Sequence, residues 1–191
     1  MENHHDVYLF FMLMGPTCTG ILYGKRELLE QLPPVEFGGG MVDTISEQEA
    51  VFGELPLKLE AGTPNIVGNI ALGAAVSWYA ELGLEVREYE TELLAYTESQ
   101  LRSLDKIQVL GNPAERAGTV SFHIPGLHPY DIAVLLDQLG IAVRSGHHCA
   151  QPLLRRFQLD GAVRVSPALY NTKREIDTFL EGLKRIILFT S

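Results

Sequence analysis

The sequence predicts an α/β fold, and three observations support this prediction. Apolar residues recur at helical spacing in several segments, short runs with strand character lie between them, and glycine or proline separates the two kinds. A chain of 191 residues is long enough for one full core, or for one small domain with part of another. Hydrophobic residues make up 46% of the chain, which is typical of a globular protein.

The first predicted elements are two short strands. Residues 7–14 form a continuous apolar run, which is typical of a strand covered on both faces. A turn at 15–17 leads to a second strand at 18–23, and residues 25–31 favour a short helix that ends before two prolines. The polar segment 38–56 is predicted to be a long loop, and such loops are usually functional or disordered.

Two longer helices are predicted next. One apolar stripe runs from Ile66 to Trp78 and a second from Val86 to Leu101, both at helical spacing. Thr63 and Asn65 can each cap the first of these helices. A helix N-terminus preceded by glycine and threonine can also hold an anion, so the residues alone leave two roles open for Thr63.

The rest of the chain predicts a compact α+β unit. Its four predicted strands are 107–110, 119–124, 141–144 and 162–165. A helix that ends at Gly140 lies between the second and third strands. A C-terminal helix begins at Thr172, and Thr172 and Glu175 have the spacing of a capping box.

The net charge and the cysteine count exclude several classes of function. A formal net charge of -9 and a pI near 5.1 argue against nucleic-acid binding and against a polybasic membrane patch. Two cysteines do not make a disulfide framework, so we expect a reducing, cytoplasmic compartment. The apolar run 7–14 is too short to span a bilayer, and residues 1–6 lack the positive charge of a signal peptide.

Cys149 is the first candidate for chemistry, because it lies beside Arg144, His147 and His148. Basic neighbours favour the thiolate, which is the nucleophilic form of cysteine. The glycine and proline that flank the segment indicate a loop before the next helix. The alternative is that Cys149 is a small buried hydrophobe, which is the common fate of a free cysteine.

Arg164 is the second candidate, because it interrupts an otherwise apolar strand. A buried charge must be paired or functional, and a planar guanidinium suits a carboxylate. An internal salt bridge with one of the 24 acidic residues is equally consistent with the sequence. No metal site is predicted, since three consecutive residues 147–149 rarely converge on one ion. His123 is interpreted as a strand residue and His128 as a loop residue.

Four motifs together resemble the C-terminal part of a SUF-type cysteine desulfurase, a pyridoxal-phosphate enzyme of the class V aminotransferase family. The resemblance runs from about Asp6 to the C-terminus. The motifs are Gly15-Pro16-Thr17 followed by Thr19-Gly20-Ile21-Leu22-Tyr23, then Glu60-Ala61-Gly62-Thr63-Pro64-Asn65, then Arg144-Ser145-Gly146-His147-His148-Cys149-Ala150, and finally Arg164 with Tyr170-Asn171-Thr172.

The resemblance implies the C-terminal portion of a fold type I transferase that depends on pyridoxal phosphate. Residues 1–65 would be a remnant of the large cofactor-binding domain and its sheet. Residues 66–105 would be connecting helices, and residues 106–191 a complete small α+β domain with the cysteine loop. A homodimer is also implied, since members of the family build their sites at a subunit interface.

The resemblance also implies roles for individual residues. Cys149 would take sulfur from L-cysteine as a persulfide, and alanine would be released. Arg164 would bind the substrate carboxylate, and Arg144 would line the same loop as a second substrate-binding residue. Thr63 would contact the phosphate of the cofactor in the partner subunit. The sulfur would then pass to an acceptor protein for iron-sulfur cluster assembly.

One position departs from the family pattern. The family has a lysine on the strand before Gly15, and this lysine holds the cofactor as a Schiff base. Met12 stands at that position here, and a thioether cannot form an imine. The part of the large domain that would contact the rest of the cofactor is also missing from this sequence.

The sequence therefore predicts a truncated form that is inactive as a desulfurase on its own. Two alternatives are a working desulfurase and a sulfur-relay or acceptor-docking module that uses Cys149. If the strand at 7–14 has lost its sheet neighbours, its apolar surface is expected to find cover in a dimer, a rearranged packing or an aggregate.

Overall fold

The structure is a computed structural model that describes residues 14–17, 19–114, 116 and 118–189, together with the backbone of residues 7–11. The chain divides into two compact units at the junction between Leu82 and Gly83. This junction lies inside the segment 66–105 that the sequence assigns to connecting helices. The three-part domain division itself stays a prediction.

The first unit contains two antiparallel sheets of two strands each and one long helix. Strand β1 pairs with β2, and β3 pairs with β4. The elements in chain order are β1 (Val7–Phe11), β2 (Gly20–Gly24), α1 (Arg26–Leu29), β3 (Val42–Ile45), β4 (Ala50–Phe52), a 3-10 helix (Leu57–Leu59) and α2 (Ile66–Glu81).

The prediction of a loop over 38–56 is wrong for residues 42–52, which form the β3–β4 hairpin. Ser46 closes its turn, because its backbone N–H donates to the carbonyl of Glu49 at 2.8 Å and its Oγ accepts from the N–H of Glu49 at 3.0 Å. The predicted strand at 7–14 is present as β1 up to Phe11, and Met14 lies in a bend. Residues 12 and 13 lie outside the described residues.

Helix α2 begins where the sequence predicts, and Asn65 is its cap. The Asn65 Oδ1 accepts from the backbone N–H of Gly68 at 3.0 Å, and its Nδ2 donates to Thr19 Oγ1 at 3.2 Å. A Cβ at residue 68 would collide with the side chains of both Asn65 and Thr19, so a larger residue there would displace this hydrogen-bonded pair. The capping role that the sequence left open for Thr63 therefore belongs to Asn65.

The second unit is a four-stranded antiparallel sheet in the order β5-β6-β8-β7, with four helices. The predicted helices and strands of this unit are present, with shifted ends. They are, in chain order, α3 (Gly83–Arg102), β5 (Gln108–Val109), β6 (Val120–His123), α4 (Pro129–Asp137), β7 (Arg144–Gly146), α5 (Gln151–Arg156), β8 (Ala162–Val165) and α6 (Lys173–Phe189).

One face of this sheet carries the hydrophobic core. Phe122 on β6 lies opposite Val163 on β8, and both are fully buried. The ring of Phe122 packs against Phe179 of α6, with 6.2 Å between the ring centroids. The predicted capping box is confirmed, because the N–H of Glu175 donates to Thr172 Oγ1 at 3.3 Å and the N–H of Thr172 donates to Glu175 Oε2 at 2.6 Å.

The predicted strand at 141–144 is wrong in position, because β7 begins at Arg144 and ends at Gly146. Gly140 ends α4 in the left-handed region at a φ of 75°, and the N–H of Ile141 donates back to the carbonyl of Leu136 at 3.0 Å. Residues 141–143 are therefore the link to the strand, and Ile141 and Val143 pack against the core.

His128 is the cap of α4 and not merely a loop residue, since its Nδ1 accepts from the N–H of Tyr130 at 3.3 Å. No helix in the described part of the chain is both long and apolar enough to cross a membrane.

Candidate functional site

The polar face of the second sheet brings two predicted site residues together. Side chains alternate along β8, so Arg164 lies on the face opposite the core residue Val163. The direct neighbours of Arg164 across the sheet are Ser121 on β6 and Arg144 on β7. Like charges directly opposite in adjacent strands destabilise a sheet, so this pair of guanidinium groups suits a bound anion.

Arg164 has an unused hydrogen-bond donor. Its Nε is buried and has no hydrogen-bond partner, and no ion pair found among the described residues involves Arg164. The internal salt bridge that the sequence left open is therefore not found in this part of the chain. An N–H that is buried without an acceptor costs free energy, so a ligand that supplies one would be stabilised there.

The cysteine loop connects β7 to α5 in a strained backbone conformation. Gly146, His148 and Cys149 have φ values of 116°, 53° and 58°. Two consecutive non-glycine residues in the left-handed region are uncommon and persist only where the surroundings hold them. The side chain of Cys149 is exposed, so the alternative of a small buried hydrophobe is wrong.

The ring of His148 holds this loop against β8. Its Nε2 lies 3.0 Å from the carbonyl oxygen of Ala162, and a carbonyl can only accept, so Nε2 carries the hydrogen. Burial lowers the pKa of His148 below 6.5, and the nearby charges of Arg164 and Arg144 add to this effect, against the opposing hydrogen bond to Ala162. His148 is therefore neutral at pH 7 and adds no positive charge beside Cys149.

His147 has a different environment, because its ring is exposed and its Nδ1 lies 3.3 Å from Gln151 Nε2. The N–H of Ala150 donates to the carbonyl of His147 at 2.9 Å and closes the turn that carries Cys149. The hydrogen bonds of both histidines therefore stabilise the loop. The role of His148 could not be predicted from the sequence, because its acceptor at Ala162 is 14 residues away along the chain.

A cavity of about 450 Å³ lies on the same face of the sheet. Ser121 and Ala162 line it from the strands, and His148 and Ala150 line it from the cysteine loop. Cys149 lies between these two lining residues in sequence. Cys149 itself is not among the residues that line the cavity.

An ion-pair network includes one of the residues that line this cavity. Arg116 lines the cavity, and its Nε donates to Glu98 Oε2 of α3 at 2.8 Å. Arg102 also donates to Glu98, at 2.6 Å, and to the carbonyl of Gly111 at 2.7 Å. Burial alone would raise the pKa of Glu98, but the hydrogen bonds and charges of Arg116 and Arg102 outweigh it and lower this pKa below 4.5. The spacing of Glu98 and Arg102 was the available sequence signal for this network.

Thr63 belongs to the first unit and is exposed just before α2. Its side chain makes no hydrogen bond to any of the described residues, and the neighbouring Asn65 side chain is already committed to Gly68 and Thr19. Met12, which is predicted to stand at the lysine position of the family, lies outside the described residues.

These donors do not fit a covalently held pyridoxal phosphate. Such a cofactor needs an amine for its imine and several donors for its phosphate, whereas the predicted lysine position holds the thioether of Met12, and Thr63 contributes a single hydroxyl. Among the residues that the structure describes, no group of three or more His, Cys, Asp or Glu side chains could hold a metal ion.

Comparison with known proteins identifies relatives along the whole chain. The model of the aminotransferase class-V family matches residues 12–179. A probable cysteine desulfurase of Staphylococcus aureus is 41% identical over 100% of this chain and 47% of its own length. A cysteine desulfurase of Yersinia pseudotuberculosis is 45% identical over 95% of this chain and 45% of its own length.

Solved structures give the same result for the fold. The cysteine desulfurase CsdA from Escherichia coli superposes with a TM-score of 0.89 at 36% identity, over 96% of this chain and 46% of that one. The cysteine desulfurase of Thermococcus onnurineus gives a TM-score of 0.88 at 38% identity. The fold is that of a portion of a fold type I transferase, and the chain spans about half the length of the relatives it matches. By sequence and by fold, this chain belongs to the class-V aminotransferase family, among relatives that are cysteine desulfurases.

Proposed function

We propose that the second unit carries the sulfur-accepting part of a cysteine desulfurase site. Cys149 accepts sulfur as a persulfide, and Arg164 and Arg144 bind the carboxylate of the sulfur-bearing substrate, L-cysteine. The observation that carries this proposal is the buried, unpartnered Nε of Arg164, which lies directly across from Arg144 at the start of the cysteine loop.

The charges and donors of this face support the assignment. A carboxylate would accept the free N–H of Arg164 and would reduce the repulsion between the two facing guanidinium groups. His148 is neutral and fixed to Ala162, so it positions the loop without competing for the anion. Cys149 is exposed and can be reached by a sulfur donor from solvent.

On its own, the chain is expected not to release sulfur from L-cysteine. The amine that would hold the cofactor is replaced by Met12, and the donors around Thr63 do not fit a covalently held cofactor. The expectations of a homodimer, of a phosphate contact for Thr63, of iron-sulfur cluster assembly and of a cytoplasmic location stay predictions.

A second candidate function is a sulfur relay, which the exposure of Cys149 favours. In a relay, the thiolate of Cys149 attacks the terminal sulfur of a donor persulfide. The new sulfur-sulfur bond forms at Cys149 while that of the donor breaks, and the electron pair leaves with the donor thiolate. This exchange involves no net oxidation and no cofactor, so it is compatible with Met12.

Two reactions test these functions separately. The purified chain is incubated with pyridoxal phosphate and L-cysteine, and sulfide and alanine are measured; release of either product would contradict the inactivity of the isolated chain. In the second reaction, cysteine persulfide is the donor, and mass spectrometry of the tryptic peptides locates the added sulfur atom. We expect it on Cys149 and removed by a reductant, and its absence there would contradict the relay. The variant Cys149→Ser, which keeps Cys18, is the matched control.

A further inference from the structure

The segment that carries Cys149 is basic, although the chain as a whole is acidic. The formal net charge of the chain is -9, yet residues 141–166 contain a single acidic residue, Asp160, and four arginines. These arginines are Arg144, Arg155, Arg156 and Arg164. No ion pair found among the described residues involves any of them. The exposed thiol of Cys149 therefore lies in a segment with an excess of positive charge.

Two of these arginines lie on the same face of the second sheet. Arg144 of β7 and Arg164 of β8 are directly paired, and the Cβ atoms of such a pair are about 4.5–5.5 Å apart. Burial lowers the pKa of His148, the hydrogen bond to Ala162 raises it, and the charges of Arg164 and Arg144 lower it again. Both guanidinium charges therefore act on the residue directly before Cys149.

The charge of this arginine pair exceeds that of a single carboxylate. A carboxylate balances one of the two guanidinium charges and leaves the other uncompensated, whereas a dianion balances both. Each planar guanidinium also offers parallel N–H donors, which suit an oxyanion with several acceptor oxygens. The buried Nε of Arg164 has no acceptor among the described residues. Arg144 and Arg164 together therefore match a compact dianion better than one carboxylate.

We infer that Cys149 also accepts sulfur from dianionic sulfur donors such as thiosulfate, whose oxyanion is bound by Arg144 and Arg164. This inference rests on the proposed role of Cys149 as a sulfur acceptor and adds a class of donor to it. The thiolate of Cys149 attacks the outer sulfur of thiosulfate. A sulfur-sulfur bond forms at Cys149, that of thiosulfate breaks, and its electron pair leaves with sulfite. The products are the persulfide anion and sulfite, so charge and sulfur balance without an oxidant or a cofactor.

The positive charge around Cys149 favours this reaction. A thiolate and a thiosulfate dianion repel each other, and this repulsion opposes their encounter in water. Arginine side chains near the thiol attract the dianion and offset the repulsion, so the reaction rate should fall as the salt concentration rises. Sulfate has the same charge as thiosulfate but no sulfur to transfer, so it should compete for the arginine pair.

The test compares thiosulfate with cysteine persulfide as donors to the purified full chain, which is reduced beforehand and freed of reductant. Mass spectrometry of the tryptic peptides locates the added sulfur, and the sulfite released from thiosulfate is measured. We expect a persulfide on Cys149 from both donors, with equal amounts of sulfite and persulfide in the thiosulfate reaction. The variant Cys149→Ser should abolish both reactions.

Two variants and a matched control locate the oxyanion site. Arg144→Met and Arg164→Met are each expected to slow the thiosulfate reaction by about tenfold, because each removes a charge-assisted contact to the dianion. Arg174→Met is the control, since it removes the same charge from an exposed position on α6, the helix that packs against the core face of the sheet. Far-UV circular dichroism checks that each variant is folded.

Two further measurements separate oxyanion binding from a change in the thiol or the loop. Iodoacetamide is neutral and reports the reactivity of the Cys149 thiol itself. In both arginine variants the rate with thiosulfate should therefore fall relative to the rate of alkylation. Sulfate should slow the thiosulfate reaction more than L-alanine does at the same concentration, because L-alanine carries a single carboxylate.

The outcomes distinguish this inference from the proposed function. If cysteine persulfide modifies Cys149 and thiosulfate does not, the inference is wrong and the proposed transfer of sulfur stands. Equal slowing by the three methionine variants, or stronger competition by L-alanine than by sulfate, would also overturn the dianion site. If neither donor modifies Cys149, the proposed acceptance of sulfur fails together with the inference.

Discussion

Replacement of Arg164 with methionine is expected to stabilise the second unit and to remove its affinity for carboxylates. The Nε–H of Arg164 is buried without an acceptor, and Arg144 is the residue paired with Arg164 in β7. Methionine has a comparable length but neither the donor nor the charge. Residues kept for binding often cost stability in this way, because their partners arrive only with the ligand.

The magnitude follows from two contributions. A buried donor without a partner costs about 1–3 kcal/mol. Repulsion between like charges opposite each other in a sheet costs up to about 1 kcal/mol, and solvent screens it here because Arg144 is exposed. Methionine also keeps the packing of the apolar stem of Arg164. Because Arg164 is only half-buried, we expect a net gain near the lower end, about 1–2 kcal/mol in the free energy of unfolding.

Native-state hydrogen exchange measures this gain in the full chain, from the slowest amides of β6 and β8. Arg144→Met is the matched control: it relieves the repulsion but not the buried donor, so its gain should be smaller, a few tenths of a kcal/mol. L-alanine, which carries a carboxylate, should bind at Arg164 and slow hydrogen exchange in the wild type. It should leave the exchange rates of Arg164→Met unchanged. If Arg164→Met were instead less stable than the wild type by about 1 kcal/mol or more, Arg164 would have an internal partner and the reasoning would be refuted.

Two further predictions concern charge in the second unit. Glu98→Gln is expected to lower the free energy of unfolding by about 1–2 kcal/mol, because Arg116 loses its charged acceptor. Glu92→Gln, at an exposed position of the same helix, is the control and should change this free energy little. Urea unfolding followed by far-UV circular dichroism measures both variants. Burial lowers the pKa values of His123 and His148 below 6.5, so the unfolded chain binds more protons than the folded chain. The contribution of these two histidines to the free energy of unfolding should therefore be complete above pH 6.5 and lost as the pH falls. A constant urea midpoint between about pH 7 and pH 5 would contradict this expectation.

The helices and the two candidate residues could be predicted from local sequence. The spacing of Ile176, Phe179 and Leu183 predicts the buried side of α6, and all three are in the core. Cys149 and Arg164 stand out because each is chemically unusual for its surroundings. The sequence pattern that predicts these features lies within a few residues along the chain, so it does not depend on contacts between distant residues.

Other parts of the site depend on contacts between distant residues. The position of β7 follows from its register with β8, and this register places Arg144 opposite Arg164. The apolar run from Ile141 to Val143 does not specify which residues pair with β8, so the sequence alone does not predict the register. Similarly, the neutral state of His148 depends on burial and on the carbonyl of Ala162. The β3–β4 hairpin escaped prediction because its side chains are mostly exposed and show no alternation of apolar and polar residues.

The division of the chain into two units separates two kinds of function. The second unit has its own core and holds Cys149, Arg144 and Arg164, so its capacity to accept sulfur should depend on its own stability. The first unit holds Thr63 and the position of Met12, and it has few buried apolar side chains among those described. Substitutions in the first unit should therefore leave the transfer of sulfur from a small persulfide to Cys149 unchanged. Persulfide formation can accordingly be measured as a property of the second unit.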